Sequence, residues 1–107
     1  MSTQVVFTGT AKNDRREIAV HLAKRSGSRE LAVCFVRELQ EQTAILAPFP
    51  ESGAFPQDRM LKSSGFRFLT HKDYLLFYRY ERAEGRVYIM AIFHGRRDYL
   101  RVMQQYL

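Results

Sequence analysis

The chain has 107 residues, 46% hydrophobic and 26% charged, a size and composition that fit one globular domain with one core and no room for a second. Its longest apolar runs, such as Tyr88–Phe93, fall far short of the roughly 20 residues that cross a bilayer, and Met1–Thr10 lacks a basic-then-apolar signal pattern. Residues 1–107 are therefore expected to form a single cytoplasmic domain, and the lone Cys34 leaves no internal disulfide and no paired ligands for a structural zinc site.

In chain order, Gln4–Thr8 is short, β-branched and aromatic, which predicts a strand, and Thr8-Gly9-Thr10 breaks it with a capping residue at its end. A helix is predicted from Ala11, where Ile18, Ala19 and Leu22 recur at helical spacing between charged residues, and Ser26-Gly27 ends it. Ser28 opens a second helix with the stripe Ala32, Phe35, Val36, Leu39, Thr43 and Leu46, stopped by Pro48. The short link makes the two an antiparallel hairpin. Cys34 falls mid-helix and reads as a small packing residue. Pro48–Ser64 holds all three prolines and no clear period, so it reads as a long, functional loop.

After Gly65 the pattern turns extended. Phe66–Thr70, Tyr74–Tyr80 and Arg86–Phe93 are predicted strands, with His71-Lys72-Asp73 and Ala83-Glu84-Gly85 as hairpin turns. In the last strand Val87, Ile89, Ala91 and Phe93 should share one face and Tyr88, Met90 and Ile92 the other, an apolar pattern on both sides that suits a central strand. Gly95–Asp98 breaks it, and Tyr99, Leu100, Met103 and Leu107 fit a short closing helix. The order β-α-α-β-β-β-α predicts an α+β fold: an antiparallel sheet with a helical hairpin packed on one face and a short C-terminal helix. The other sheet face is expected to carry the chemistry.

The net charge of +6 is unevenly placed. Met1–Asp58 balances seven basic against seven acidic residues, so the whole excess lies in Arg59–Leu107. That polarity implies an acidic partner for the second half. His21, His71 and His94 are too scattered for a metal site, and no phosphate loop, dinucleotide fingerprint or nucleophile elbow is present, so neither metal nor cofactor is expected. Phe93-His94-Gly95-Arg96-Arg97-Asp98-Tyr99 instead crowds an imidazole, two guanidinium groups and a phenol at a strand end. Such groups could process a phosphodiester, with proton transfer by His94 or Tyr99 and charge stabilisation by arginine. Equally, Asp98 could pair with an arginine while His94 bonds backbone and Tyr99 packs.

In order and spacing, several segments together resemble the RelE/ParE superfamily of toxins from bacterial type II toxin-antitoxin systems. They are Ala11-x-x-Asp14-x-x-x-Ile18, Pro50-x-x-Gly53, Gly65-Phe66-Arg67, Tyr74-Leu75-Leu76-Phe77-Tyr78-Arg79 and Ile92-Phe93-His94-Gly95-Arg96-Arg97-Asp98-Tyr99. The resemblance implies a cognate antitoxin with an acidic, amphipathic or disordered segment. It also offers two targets. RelE-like members cleave mRNA on the ribosome, without a metal, and the resemblance would give Arg67, His94, Arg97 and Tyr99 the catalytic roles. ParE-like members poison DNA gyrase and are not enzymes in that sense. Lys62, Arg67, Arg79, Arg96, Arg97 and Arg101 are then the candidates for contacting target or antitoxin. Leu75 stands where the nuclease branch resembles Tyr-Arg, and Leu69 where a second sheet lysine would be expected, so the resemblance favours the ParE-like branch. A relative that has lost toxicity and acts as an interaction module would share the fold.

Overall fold

The computed structural model describes residues 3–95 and 99–107. Gln4–Phe7 forms strand β1, Gly9–Ser26 helix α1 and Arg29–Ala44 helix α2. Arg59–Ser63 forms a short helix α3, and Phe66–His71, Tyr74–Glu81 and Arg86–His94 form strands β2, β3 and β4. Tyr99–Met103 is helix α4, continued by a 3-10 turn at Gln104–Tyr106. The sheet runs β1-β4-β3-β2, antiparallel through β2, β3 and β4, with β1 joining β4 in parallel. The expected α+β architecture is present, with the α1–α2 hairpin on one sheet face.

Local chemistry sets the helix ends. Thr8, not Thr10, caps α1: its hydroxyl accepts from the Ala11 N–H at 3.2 Å, so the helix begins two residues earlier than its apolar spacing indicates. Gly27 ends α1 at φ 69, a left-handed conformation that costs glycine little. The Ser28 hydroxyl then caps α2 by accepting from Leu31 N–H. This helix stops at Ala44, short of Pro48, because proline drives the preceding residue out of the helical region and the chain tightens into turns over 45–48. Leu46 is buried from that turn, while Phe35, Leu39 and Thr43 are buried from the helix.

Pro48–Ser64 is more ordered than its composition suggests. Asp58 caps α3 by accepting from Leu61 N–H at 3.0 Å, and a five-residue helix is too short to display a period. Earlier in the same segment, Ala54 and Phe68 exchange two backbone hydrogen bonds of 2.9 Å, covering the outer edge of β2.

The face assignment along β4 is corrected by a bulge. Phe77 pairs with Ala91 but Tyr78 pairs with Ile89, which leaves Met90 without a partner. The extra residue reverses the alternation. Before it, Val87 and Ile89 pack with Ala11, Leu46 and Tyr78 on the hairpin side. After it, Ile92 takes the hairpin side with Phe35, Leu39 and Leu76, while Ala91 and Phe93 turn to the opposite face. That opposite face is itself a core: Phe66, Phe77, Ala91 and Phe93 are buried there beneath Leu61 of α3 and Met103 of α4. It is not an open catalytic surface at that end of the sheet. Leu107 closes nothing and stays exposed, and Cys34 is exposed on α2 instead of packing. Among the described residues no helix is long and apolar enough to cross a membrane.

Phe35 meets both His71 and Tyr74 from α2, with ring centroids 5.9 and 5.1 Å away. Phe35→Ala should therefore cost about 3 to 5 kcal/mol of unfolding free energy, whereas Cys34→Ser at an exposed position should stay within about 0.5 kcal/mol. Denaturant titration of the two variants checks the pair.

Candidate functional site

Two regions hold the polar chemistry on the hairpin side of the sheet. The first is a groove of about 630 Å³ between the C-terminal half of α1, the start of α2 and the β2–β3 turn with the end of β4. It exists because β1 stops at Phe7, level with Ile89, and leaves the rest of β4 without a strand neighbour on that side. Helix α1 covers the gap and supplies the missing acceptor: Asp14 Oδ2 accepts from the Ile92 N–H at 3.0 Å. Ile18, Leu22, Leu31 and Phe35 form an apolar floor, and Glu17, His21, Arg25, Lys72, Asp73 and His94 stand around it. The rim mixes both signs, so the groove suits an amphipathic protein segment better than a polyanion.

The second region is the junction of β2 with the 48–58 segment. Arg67 donates through Nη1 to the carbonyls of Glu51 at 3.0 Å and Gly53 at 3.1 Å, and its guanidinium lies 4.0 Å from the centroid of Phe55. The Lys62 ammonium lies 5.0 Å from the same ring. Beneath them the Tyr78 hydroxyl, fully buried, accepts from the Gly53 N–H at 2.8 Å. Burial pushes the Tyr78 phenol above its ordinary value, opposed by the Gly53 hydrogen bond and by the nearby Arg67 charge. Gly53 is required here: a Cβ would sit 2.5 Å from the Tyr78 hydroxyl oxygen.

The residues singled out from sequence are scattered. Arg67 is level with Tyr78 on β3 and His94 with Tyr74, four positions apart, or roughly 13 Å along a strand. His94 is exposed at the groove, its ring edge-on to Tyr74 at 5.5 Å. Tyr99 lies on the other sheet face, its ring 5.1 Å from Phe77 and 6.5 Å from Phe93. Arg79 pairs with Glu81 at 2.8 Å and lies 5.4 Å from the Phe66 ring. Lys62 and Arg101 are exposed, on α3 and α4 respectively. Arg96 and Arg97, with Asp98, lie outside the described residues. Leu75 packs against the core beneath α3 and α4. Among the described residues no group of three or more histidine, cysteine, aspartate or glutamate side chains could hold a metal ion.

Sequence reasoning missed His71, Glu38 and Gln42. His71 Nε2 lies 2.9 Å from Glu38 Oε2 and His71 Nδ1 lies 2.7 Å from Gln42 Oε1. A signal was available, because Glu38 and Gln42 are four apart on one helix face and His71 shares the inward parity of Leu69.

Tyr78→Phe would leave the Gly53 N–H buried without its acceptor. The expected loss is about 1 to 3 kcal/mol, the cost of an unsatisfied buried donor, with faster cleavage of the 48–58 segment in limited proteolysis.

The family described as ParE toxin of type II toxin-antitoxin system, parDE, matches residues 5–99. Among solved structures, the chain is similar to one in the chromosomal ParDE toxin-antitoxin system from P. aeruginosa, at 22% identity over 86% of this chain and 95% of that one, with a TM-score of 0.70. It is also similar to a chain of the toxin-antitoxin complex RelBE2 from Mycobacterium tuberculosis, at 22% identity over 88% of this chain and 92% of that one, with a TM-score of 0.59. At such identities the two likenesses speak for the fold. No curated protein matches the sequence.

Proposed function

Given that the chain belongs to the ParE toxins of type II toxin-antitoxin systems, we propose that it arrests growth in the cytoplasm by inhibiting DNA gyrase and that a cognate antitoxin neutralises it. The observation that carries the choice of target is the separation of the nuclease candidates. Arg67 commits its Nη1 to two loop carbonyls, His94 stands at the groove and Tyr99 packs on the opposite sheet face. A general acid and base must both reach the same phosphodiester within hydrogen-bond distance, and these described groups do not converge. Leu75, half-buried against apolar neighbours, supplies no charge for a phosphorane. Inhibition by binding asks for surface instead, and Lys62, Arg79, Arg96, Arg97 and Arg101 serve as contacts in this reading.

The deciding experiment is a supercoiling assay with purified gyrase beside primer extension on mRNA from translating ribosomes. Inhibited supercoiling with intact mRNA is expected, and Tyr99→Phe or His94→Ala should leave that inhibition within about threefold, since neither is asked to move a proton. Codon-spaced cleavage with normal supercoiling would overturn the gyrase reading in favour of a ribosome-dependent nuclease. Toxicity in neither assay would point to an interaction module.

For the antitoxin, the apolar floor of the groove fits the apolar side of an incoming segment, and the positive excess of Arg59–Leu107 fits its acidic side. Folding of such a segment onto the surface would couple ordering to neutralisation. Association should slow by about tenfold or more between low and high salt, because exposed charges act chiefly on encounter. A salt-insensitive on-rate, or an antitoxin touching only Met1–Asp58, would sink this assignment of the surface.

A further inference from the structure

The apolar side chains left in solvent are not spread evenly. Among the described residues, half of the exposed large hydrophobics, Ile45, Phe49, Phe55 and Met60, fall within residues 45–60. Phe49 is 61% exposed and Phe55 49%, and neither lines the groove between α1, α2 and the β2–β3 turn. The two rings flank the stretch 51–54, which is fastened to the sheet at every residue but one. Arg67 Nη1 donates to the carbonyls of Glu51 and Gly53, the Gly53 N–H donates to the buried Tyr78 hydroxyl, and Ala54 exchanges backbone hydrogen bonds with Phe68. On the Phe49 side the Ser52 N–H closes a turn onto the Phe49 carbonyl, and a hollow of about 420 Å³ lined by Pro48, Phe49, Pro50, Glu51 and Ser52 opens there. Aromatic side chains on so fixed a frame lose little freedom when a partner covers them.

Charge is arranged to match. The Arg67 guanidinium lies over the Phe55 ring, 4.0 Å from its centroid, and the Lys62 ammonium lies 5.0 Å from the same centroid. Among the described residues neither cation forms an ion pair, because the acids of this segment are turned elsewhere. The Glu51 carboxylate pairs with Arg82 at 2.6 Å, and Asp58 accepts from the Leu61 N–H as the cap of α3. Arg59 adds a further exposed positive charge three residues before Lys62 on the same side of that helix. Two like charges converging on one ring repel each other, and an incoming carboxylate would relieve the repulsion.

We infer that Phe49 and Phe55, with Lys62 and Arg67, form the surface by which the chain grips its target, and that the partner is a protein surface presenting carboxylates beside apolar side chains. The inference rests on the reading that the chain acts by occupying gyrase, and it places that contact at the outer edge of β2, apart from the groove assigned to the antitoxin. Aromatic rings and arginine together are the residue types that carry most of the energy at protein interfaces. A nucleic acid fits less well. The guanidinium covers a face of Phe55 on which a base would stack, and Glu51 and Asp58 stand within the same segment.

The test is the binding kinetics of purified gyrase to the immobilised full-length chain, run beside the supercoiling assay, for the wild type, Phe55→Ala, Phe49→Ala and Lys62→Glu. The wild type should bind and inhibit. Each phenylalanine variant should dissociate about tenfold faster or more while its association rate stays within about threefold, since apolar burial acts on residence. Lys62→Glu should instead slow association about tenfold at low salt and flatten its salt dependence. Melting temperatures are recorded alongside, and Phe49→Ala is an independent arm should Phe55→Ala loosen the segment. A wild type that binds gyrase while all three folded variants stay within about twofold of it would overturn this surface and leave the gyrase reading standing. A wild type that neither binds nor inhibits gyrase would overturn that reading and this inference with it. Equal affinity for a DNA fragment alone, lost in Lys62→Glu and kept in both phenylalanine variants, would overturn the protein partner in favour of a polyanion.

Discussion

The bulge at Met90 is the constraint on which the rest of the structure depends. A regular β4 would keep Val87, Ile89, Ala91 and Phe93 on one face and leave Tyr88, Met90 and Ile92 to the other. With one unpaired residue, the strand gives Val87, Ile89 and Ile92 to the hairpin side and Ala91 and Phe93 to the α3 and α4 side. A single nine-residue strand can then support two apolar layers. The bulge also explains how the chain changes course at Thr8. The Thr8 backbone N–H and hydroxyl both donate to the Ile89 carbonyl, at 3.1 and 2.9 Å, while the hydroxyl oxygen accepts from α1. The irregular end of the β1–β4 pairing is thereby the anchor of the first helix, and Asp14 on that helix satisfies the next outward-facing N–H of β4.

Much of this fold was legible because its elements are long enough to show a period. The α2 stripe Phe35, Leu39 and Thr43, the Gly27 break and the three consecutive strands all emerged from spacing and breakers. The bulge was not legible, because alternation in Arg86–Phe93 reads the same with or without a slipped residue when both faces are apolar. Nor could spacing reveal that β1 pairs in parallel with the last strand, a contact more than 80 residues distant in sequence. Helix α3 hid in a proline-rich segment because five residues span little more than one turn.

The candidate site was read less well than the fold, and for a different physical reason. Sequence ranks residues by what their side chains can do, whereas their use is decided by which acceptors lie within reach. Arg67 could hold a phosphate, yet the carbonyls of Glu51 and Gly53 are closer competitors, and Phe55 occupies its face. Tyr99 could move a proton, but its ring is set between Phe77 and Phe93. His71, passed over as a turn residue, is the histidine held within 2.7 Å of Gln42 Oε1 and 2.9 Å of Glu38 Oε2. Neighbours brought from 29 and 33 positions earlier in the chain made that difference.

These competing uses bear on how a small toxin can act. Near α3 and α4 both faces of the sheet are spent on packing, and polar side chains that might have lined a catalytic hollow are tied to loops or to one another. Converting that arrangement to a nuclease would require Arg67 to leave two carbonyls and Tyr99 to leave an aromatic core, each at a cost in buried contacts. A toxin that acts by occupying a partner's surface needs none of these departures. It can keep its interior closed and present only the groove and exposed cations such as Lys62 and Arg101, where charge speeds encounter and apolar burial sets residence. The proposed binding role rests on this much: Arg67 Nη1 and the Tyr99 ring, two groups suited to chemistry, are engaged in holding loop and core together, while His94 stays exposed at the groove.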